Sequence, residues 1–337
     1  VKLSSLARRS SRAGSILLLA CILAGLSSCT VYRLPAGPSP RQALKPSKAL
    51  LARFSLDGPV KEPDLALVTR QPEYVHWFGR FEAKHPDEAK THTVKFDYFR
   101  APGNKPAPVI VCTPILGGRG QLERSVAKRF AAAGFHAILV HRGRRTFSRT
   151  WRLEDVETFL RIAIADRRRV IDWLEKRPEV DHHRIGAFGI SMGGIVTACL
   201  APIDRRISAA VVVMGGGPIA DILVQTKERP LKRFRERRME AESIGVKEFH
   251  DRLAKSLVSD PVSLARYADP RRFLCFISRY DNIVPTPLQH KLRAALGTPE
   301  CYLVPSGHYS GAAFLPFLQK KSINFFRRRF AKPVSGS

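Results

Sequence analysis

The chain has 337 residues, 44% of them hydrophobic and 26% charged, and a formal net charge of +28. That length and balance exclude a disordered polymer and allow one or two globular domains with a large core. So strong a cationic excess fits an anionic lipid, polysaccharide or nucleic acid, or a solvated arginine-rich surface with no specific partner.

In chain order, residues 1–28 run from Lys2, Arg8, Arg9 and Arg12 through SILLLACILAGL to small residues before Cys29. Basic, then apolar, then small is the order of a secretory signal, and the apolar run is short for a membrane-spanning helix. LSSC at 26–29 resembles the lipobox of bacterial lipoproteins. The resemblance implies that Cys29 is lipidated on sulfur and becomes the first mature residue, anchoring the protein to a membrane. Thr30 after it, rather than Asp, implies the outer membrane, and Val1 reads as a GUG start codon. Removal of 1–28 takes four cations and no acid, so the remainder carries +24 rather than +28. Export and the lack of a recognition motif argue against nucleic acid as a partner.

Four cysteines lie beyond Cys29. Cys112, Cys275 and Cys301 sit in strand-like apolar runs and Cys199 in the run ACLA. With no C-x-x-C pair and no H-E-x-x-H, buried free thiols are expected, and neither a metal nor a cofactor.

Residues 29–73 are rich in Pro, Lys and Ser and read as a tether and a loosely structured N-terminal extension. From residue 74 the pattern changes. YVHWFGRFE and THTVKFDYFR read as strands around a polar turn. APVIVCTP is a continuous apolar run, as in a strand covered on both faces. The loop ILGGRG leads to a helix, QLERSVAKRFAAAG, then to a buried strand, FHAILVHR. A long helix follows near 155–177. RIGAFGI, ISAAVVV, RRFLCFIS and ECYLV read as strands, GGIVTACLA and PLQHKLRAAL as helices, and a last helix spans 311–330 before a tail at 331–337.

This alternation predicts an α/β domain over 74–330, with a mostly parallel sheet covered by helices on both faces. In such sheets ligands gather at the carboxyl ends of the strands. The interval 217–268 breaks the alternation. It is too long for a plain loop and reads as a helical cap over that end. Its seven basic residues between Lys227 and Arg238 read as a solvated helix face.

The stretch GISMGG between a strand and a helix places Ser191 in a G-x-S-x-G nucleophile elbow. A serine hydroxyl needs a base to attack a carbonyl, and the fold sets the order Ser, then Asp or Glu, then His. Asp281 in SRYDNIVP and His308 in SGHYS each follow a predicted strand, in that order.

These segments together resemble the α/β-hydrolases, most closely the dienelactone hydrolase, acetyl xylan esterase and prolyl-oligopeptidase-like group. VIDWLEKRPEVDHHRIGAFGISMGG is similar to that group's helix–strand–elbow segment. The resemblance implies Ser191 as nucleophile, His308 as base and Asp281 as the acid orienting it. Dienelactone hydrolases proper carry cysteine at the elbow, so Ser191 argues against that activity. The implied oxyanion hole uses the amide of Met192 and a second amide from PILGG at 114–118. Leu116 aligns with it and Ile115 is the alternative, while Pro114 has no N–H.

The implied reaction is hydrolysis of a small-molecule or polymer-borne ester through an acyl-enzyme. Two other readings stand beside it: a peptidase of the prolyl-oligopeptidase type, whose N-terminal propeller 30–73 is too short to form, and a non-catalytic binding module. His141 ends a strand near the expected site. His182 and His183 lie in a predicted turn at the opposite edge.

Overall fold

The computed structural model describes residues 30–38, 42–86, 88–117, 120–142, 147–148 and 150–331. Residues 1–28, read above as a signal, Cys29 and all but the first residue of the tail lie outside that set.

Strand β5 (Ala107–Thr113) lies at the middle of the sheet, and its alternation shows why. Val109 and Val111 face one buried cluster, Ile110 and Cys112 the other. A strand that buries both faces needs helices on both. Beside it run β6 (His136–Val140) and β7 (Val180–Ile190), then β8 (Ile207–Val213), β9 (Phe273–Ser278) and β10 (Glu300–Val304), all parallel. β4 (His92–Arg100) joins β6 antiparallel, followed by β3 (Tyr74–Ala83). One face is covered by α3 (Glu154–Leu174) and α4 (Met192–Ile203), with Trp173 and Phe96 buried there. The other is covered by α2 (Gln121–Ala132) and α10 (Leu315–Phe330), where Phe130 meets Phe188 and Phe326 edge to face. α9 (Thr286–Ala295) links β9 to β10. The mostly parallel sheet wrapped by helices agrees with the sequence reading.

The described residues of 29–73, namely 30–38 and 42–73, differ from the tether expected of that segment. β1 (Tyr32–Leu34) pairs antiparallel with β10, and β2 (Asp64–Gln71) pairs with β3, so the extension supplies both edges of a ten-stranded sheet. β2 is almost wholly exposed. Main-chain pairing holds it there, and it has no buried face to give an alternating pattern. Between the two edges, α1 (Lys48–Ala52) leads to Phe54, which is fully buried. Arg168 on α3 donates to the carbonyls of Leu51 and Phe54, each at 3.0 Å, and Arg169 to those of Leu56 and Gly58. A proline-rich composition concealed a segment held by guanidinium–carbonyl bonds.

Between β8 and β9 the chain forms α5 (Ile219–Gln225), α6 (Arg229–Ala241), α7 (Val246–Ser256) and α8 (Pro261–Leu264). On α6, Leu231 and Phe234 point inward one turn apart, and Phe234 packs edge to face on Phe147 and Phe249. The neck of this insertion is closed by Asp260, whose carboxylate accepts the amides of Ile219 (2.7 Å), Val262 (2.9 Å) and Ser263 (3.2 Å). Glu157 on α3 accepts the amides of Val258 and Ser259.

Candidate active site

β7 delivers the chain to Ser191, where it turns directly into α4. Ser191 has φ 57° and ψ −121°, a conformation that strains any residue with a β-carbon. Its amide donates to the Val213 carbonyl at 2.8 Å, tying the turn to β8. The flanking glycines answer to close backbone contact. A β-carbon on Gly189 would lie 2.0 Å from the Gly193 carbonyl oxygen, and one on Gly193 would lie 2.2 Å from that of Thr113. The G-x-S-x-G spacing is therefore where this turn folds back on itself.

Asp281 follows β9 and His308 follows β10, so neighbouring strands bring both to the edge where Ser191 stands. Ser191 Oγ lies 2.9 Å from His308 Nε2, and His308 Nδ1 lies 2.7 Å from Asp281 Oδ2. Asp281 is buried and held from three more directions. Its Oδ1 accepts the amides of Ile283 (2.9 Å) and Val284 (3.0 Å), and its Oδ2 accepts Gln289 Nε2 at 2.9 Å. Gln289, itself buried, also donates to the Val284 carbonyl and accepts the Ser278 amide. The three predicted side chains thus form one hydrogen-bonded chain, with its carboxylate end fixed.

The loop after β5 is braced from beneath. The Ile115 amide donates to Glu123 Oε1 at 2.8 Å, and Arg142 donates to the Ile115 carbonyl at 3.1 Å. Ile115 is thereby removed as an oxyanion donor, while Leu116 and Met192 both line the cavity around Ser191. Gly118, the last residue of PILGG, lies outside the described residues. Below the loop, Arg167 donates to Thr113 Oγ1 (2.8 Å) and to the carbonyls of Ala163 (2.6 Å) and Val140 (2.9 Å). Burial lowers the pKa of this guanidinium to about 10, so it stays charged at neutral pH.

The cavity above Ser191 has a volume of about 460 Å³. Its walls come from the β5 loop (Leu116), the cap (Ile222, Leu231), the loop after Asp281 (Val284) and α10 (Leu315, Leu318). At its mouth Tyr309 donates to Glu228, joining the histidine loop to the cap. That bond to a carboxylate pushes the Tyr309 hydroxyl up to about 12. A second link runs from the Lys227 amide to the Asn282 carbonyl at 3.0 Å.

The remaining histidines lie elsewhere. His141 bonds Asp97 Oδ2 at 2.9 Å and lines a smaller cavity with Met192 and Arg167 rather than the one holding Ser191. Asp97 also takes His76 at 2.8 Å and Arg124 at 2.7 Å. Burial alone would raise the pKa of this carboxyl, but the bonds from His141 and His76 and the charges around it hold it well below the usual range. His182 and His183 are exposed at the start of β7, within the strand rather than in a turn. Among the described residues no group of three or more His, Cys, Asp or Glu side chains is placed to hold a metal. Cys112, Cys199, Cys275 and Cys301 are buried free thiols.

Sequence reasoning missed Glu123, Arg142 and Gln289. Glu123 in the first turn of α2 reads as an ordinary complement to the helix dipole. Gln289 on α9 reads as one polar position of an amphipathic helix. Arg142 is the last residue of FHAILVHR, which read simply as a buried strand.

The chain has the α/β-hydrolase fold. A family model described as BAAT / acyl-CoA thioester hydrolase C terminal matches residues 168–296, a span that holds Ser191 and Asp281 and stops short of His308. Acetyl xylan esterase from Paenibacillus sp. R4 superposes with a TM-score of 0.63 at 20% identity, over 80% of this chain and 89% of that one. Acetyl xylan esterase 1 from Thermoanaerobacterium sp. JW/SL YS485 gives 0.61 at 14% identity, over 80% and 91%. Est1E from Butyrivibrio proteoclasticus gives 0.52 at 14% identity, over 71% and 96%. No curated protein matches the chain.

Proposed function

We propose that this protein is a serine hydrolase that cleaves an ester or thioester through an acyl-enzyme on Ser191. The observation that carries the reading is the chain from Ser191 Oγ through the His308 imidazole to Asp281, at 2.9 and 2.7 Å. The similarity of the fold to that of esterases, and of residues 168–296 to a thioester hydrolase family, supports the same chemistry.

In this mechanism Ser191 Oγ attacks the substrate carbonyl as His308 Nε2 takes its proton. The developing oxyanion is met by the amides of Met192 and Leu116, at the start of α4 where the helix dipole also favours negative charge. The imidazolium passes its proton to the leaving oxygen or sulfur as the carbonyl–leaving-group bond breaks. A water then repeats the attack on the acyl-serine, with His308 again as base, and frees the acid. Asp281 keeps Nδ1 protonated and stabilises the cation.

The test is labelling with a fluorophosphonate followed by intact mass. One adduct on the native chain and none on Ser191→Ala is the expected result. An unlabelled native protein would leave the binding-module reading. Turnover of peptidyl amides but not of esters would replace the esterase with a peptidase.

The run before Cys29 supports an exported enzyme, anchored by lipid on that cysteine at the cell envelope, with the outer membrane favoured by Thr30. Incorporation of labelled palmitate that is lost in Cys29→Ala is the expected outcome. A soluble, unlabelled native protein would remove the anchor from this proposal.

A further inference from the structure

The cavity that holds Ser191 is nearly devoid of polar side chains. Among the described residues that line it, the polar ones are Ser191, His308, Glu228 and Tyr309. Ser191 and His308 belong to the reaction, and Glu228 and Tyr309 bond each other at the mouth. Among the described residues the rest of the wall is aliphatic, methionine, glycine or proline. Leu116 covers one side, Ile222 and Leu231 hang from the cap, and Met214 and Leu318 form buried parts of the core side.

That wall discriminates between substrates. Sugar hydroxyls placed inside would lose water and find few donors or acceptors in exchange, which is unfavourable for each unpaired group. The wall also offers no tryptophan for a sugar face to stack on. Methylene groups, by contrast, gain from every contact. A water-sized group takes about 30 Å³, so 460 Å³ holds roughly fifteen of them. Seating the carbonyl and leaving atoms beside Ser191 leaves room for roughly eight to twelve carbons on that scale.

Resting on the hydrolase reading above, we infer that the substrate is an ester carrying an unbranched aliphatic chain of medium length, with that chain filling the cavity beneath the cap. A sugar or other polar portion lies outside the mouth. The chain can belong to the acyl or the alcohol limb, and the two are separable by kinetics.

The experiment uses the native protein with two substrate ladders: 4-nitrophenyl esters from acetate to tetradecanoate, and acetate esters of straight-chain alcohols of the same lengths. In the limb that enters the cavity, kcat/KM rises about four-fold per methylene, peaks between about eight and twelve carbons, and then falls. Ile222→Trp and Leu231→Trp, which thicken the cap side, move the peak to shorter chains. A rise in the acyl ladder alone or the alkyl ladder alone supports the inference and names the limb. A fall from acetate or ethyl acetate onward in both ladders overturns it, as does a peak that stays in place in both tryptophan variants when each is folded. Fluorophosphonate labelling keeps the two readings apart: a labelled Ser191 with a preference for acetate rejects the chain and keeps the hydrolase, whereas an unlabelled, inactive protein rejects both.

Discussion

The Ile115 amide donates across 2.8 Å to the buried carboxylate of Glu123, so a bond from α2 helps to fix the loop that carries Leu116. Removing the acceptor in Glu123→Leu lets that loop shift. A misplacement of about 1 Å can cost on the order of 100-fold in rate, so we expect kcat to fall 10- to 100-fold, with KM changed little. Glu123→Gln retains an acceptor oxygen and should recover much of the loss. Steady-state kinetics on one good ester decide it; a Leu variant with native kcat would show that the bond positions nothing.

Ser191 is strained for the sake of its place. With φ at 57°, a glycine there loses the β-carbon clash along with the hydroxyl. Ser191→Gly should be more stable than the native protein by about 1 kcal/mol and lower in kcat by about 10⁶-fold. Chemical denaturation and turnover, measured on the same sample, check both halves. A less stable glycine variant would mean that the elbow carries no strain.

Gln289 serves three partners at once, Asp281 Oδ2, the Val284 carbonyl and the Ser278 amide. Gln289→Leu leaves that amide without its acceptor, and we expect a loss of about 1–3 kcal/mol. It also frees Asp281 to swing from His308, so kcat should drop further than the lost stability explains at temperatures well below melting. If kcat is native in the folded variant, the amide bonds from Ile283 and Val284 suffice to hold the carboxylate.

Asp97 gives the protein an acid limit. Its folded pKa lies below its unfolded value of about 3.9. The unfolded chain therefore takes up the proton first, and the stabilisation is whole above about pH 4 and is lost as pH falls through the folded value. Asp97→Asn should be less stable near neutrality by about 3 kcal/mol, since it leaves Arg124 and the two histidines without their shared carboxylate. Its melting temperature should also fall less between about pH 5 and pH 3 than that of the native protein. Parallel slopes would show that other carboxylates govern acid unfolding.

Much of this was legible before any coordinates. Val109 to Thr113, Ile185 to Ile190 and Phe273 to Ser278 are buried on both faces, the pattern expected of a covered parallel strand. Once those strands were placed, a serine between glycines and two residues just past strand ends fell at one edge by topology alone. β2 escaped because Leu65, Leu67 and Val68 are exposed and carry no buried rhythm. Glu123 and Gln289 escaped because their value lies in partners outside their own helix, Ile115 and Asp281, and the residue itself looks like any polar position on a helix. The walls of the cavity were hidden for the same reason, since Ile222 and Leu318 meet only after some hundred residues of chain have folded between them.

The neck at Asp260 has a consequence for how such proteins diversify. One carboxylate joins Ile219 to Val262 and Ser263, so the three cap helices α5 to α7 leave and return through almost the same point. Whatever lies beyond that clasp can be lengthened, shortened or exchanged while β8 and β9 keep their register. A cap grafted from another protein onto these two stems would inherit the reactive edge intact and bring its own choice of guest.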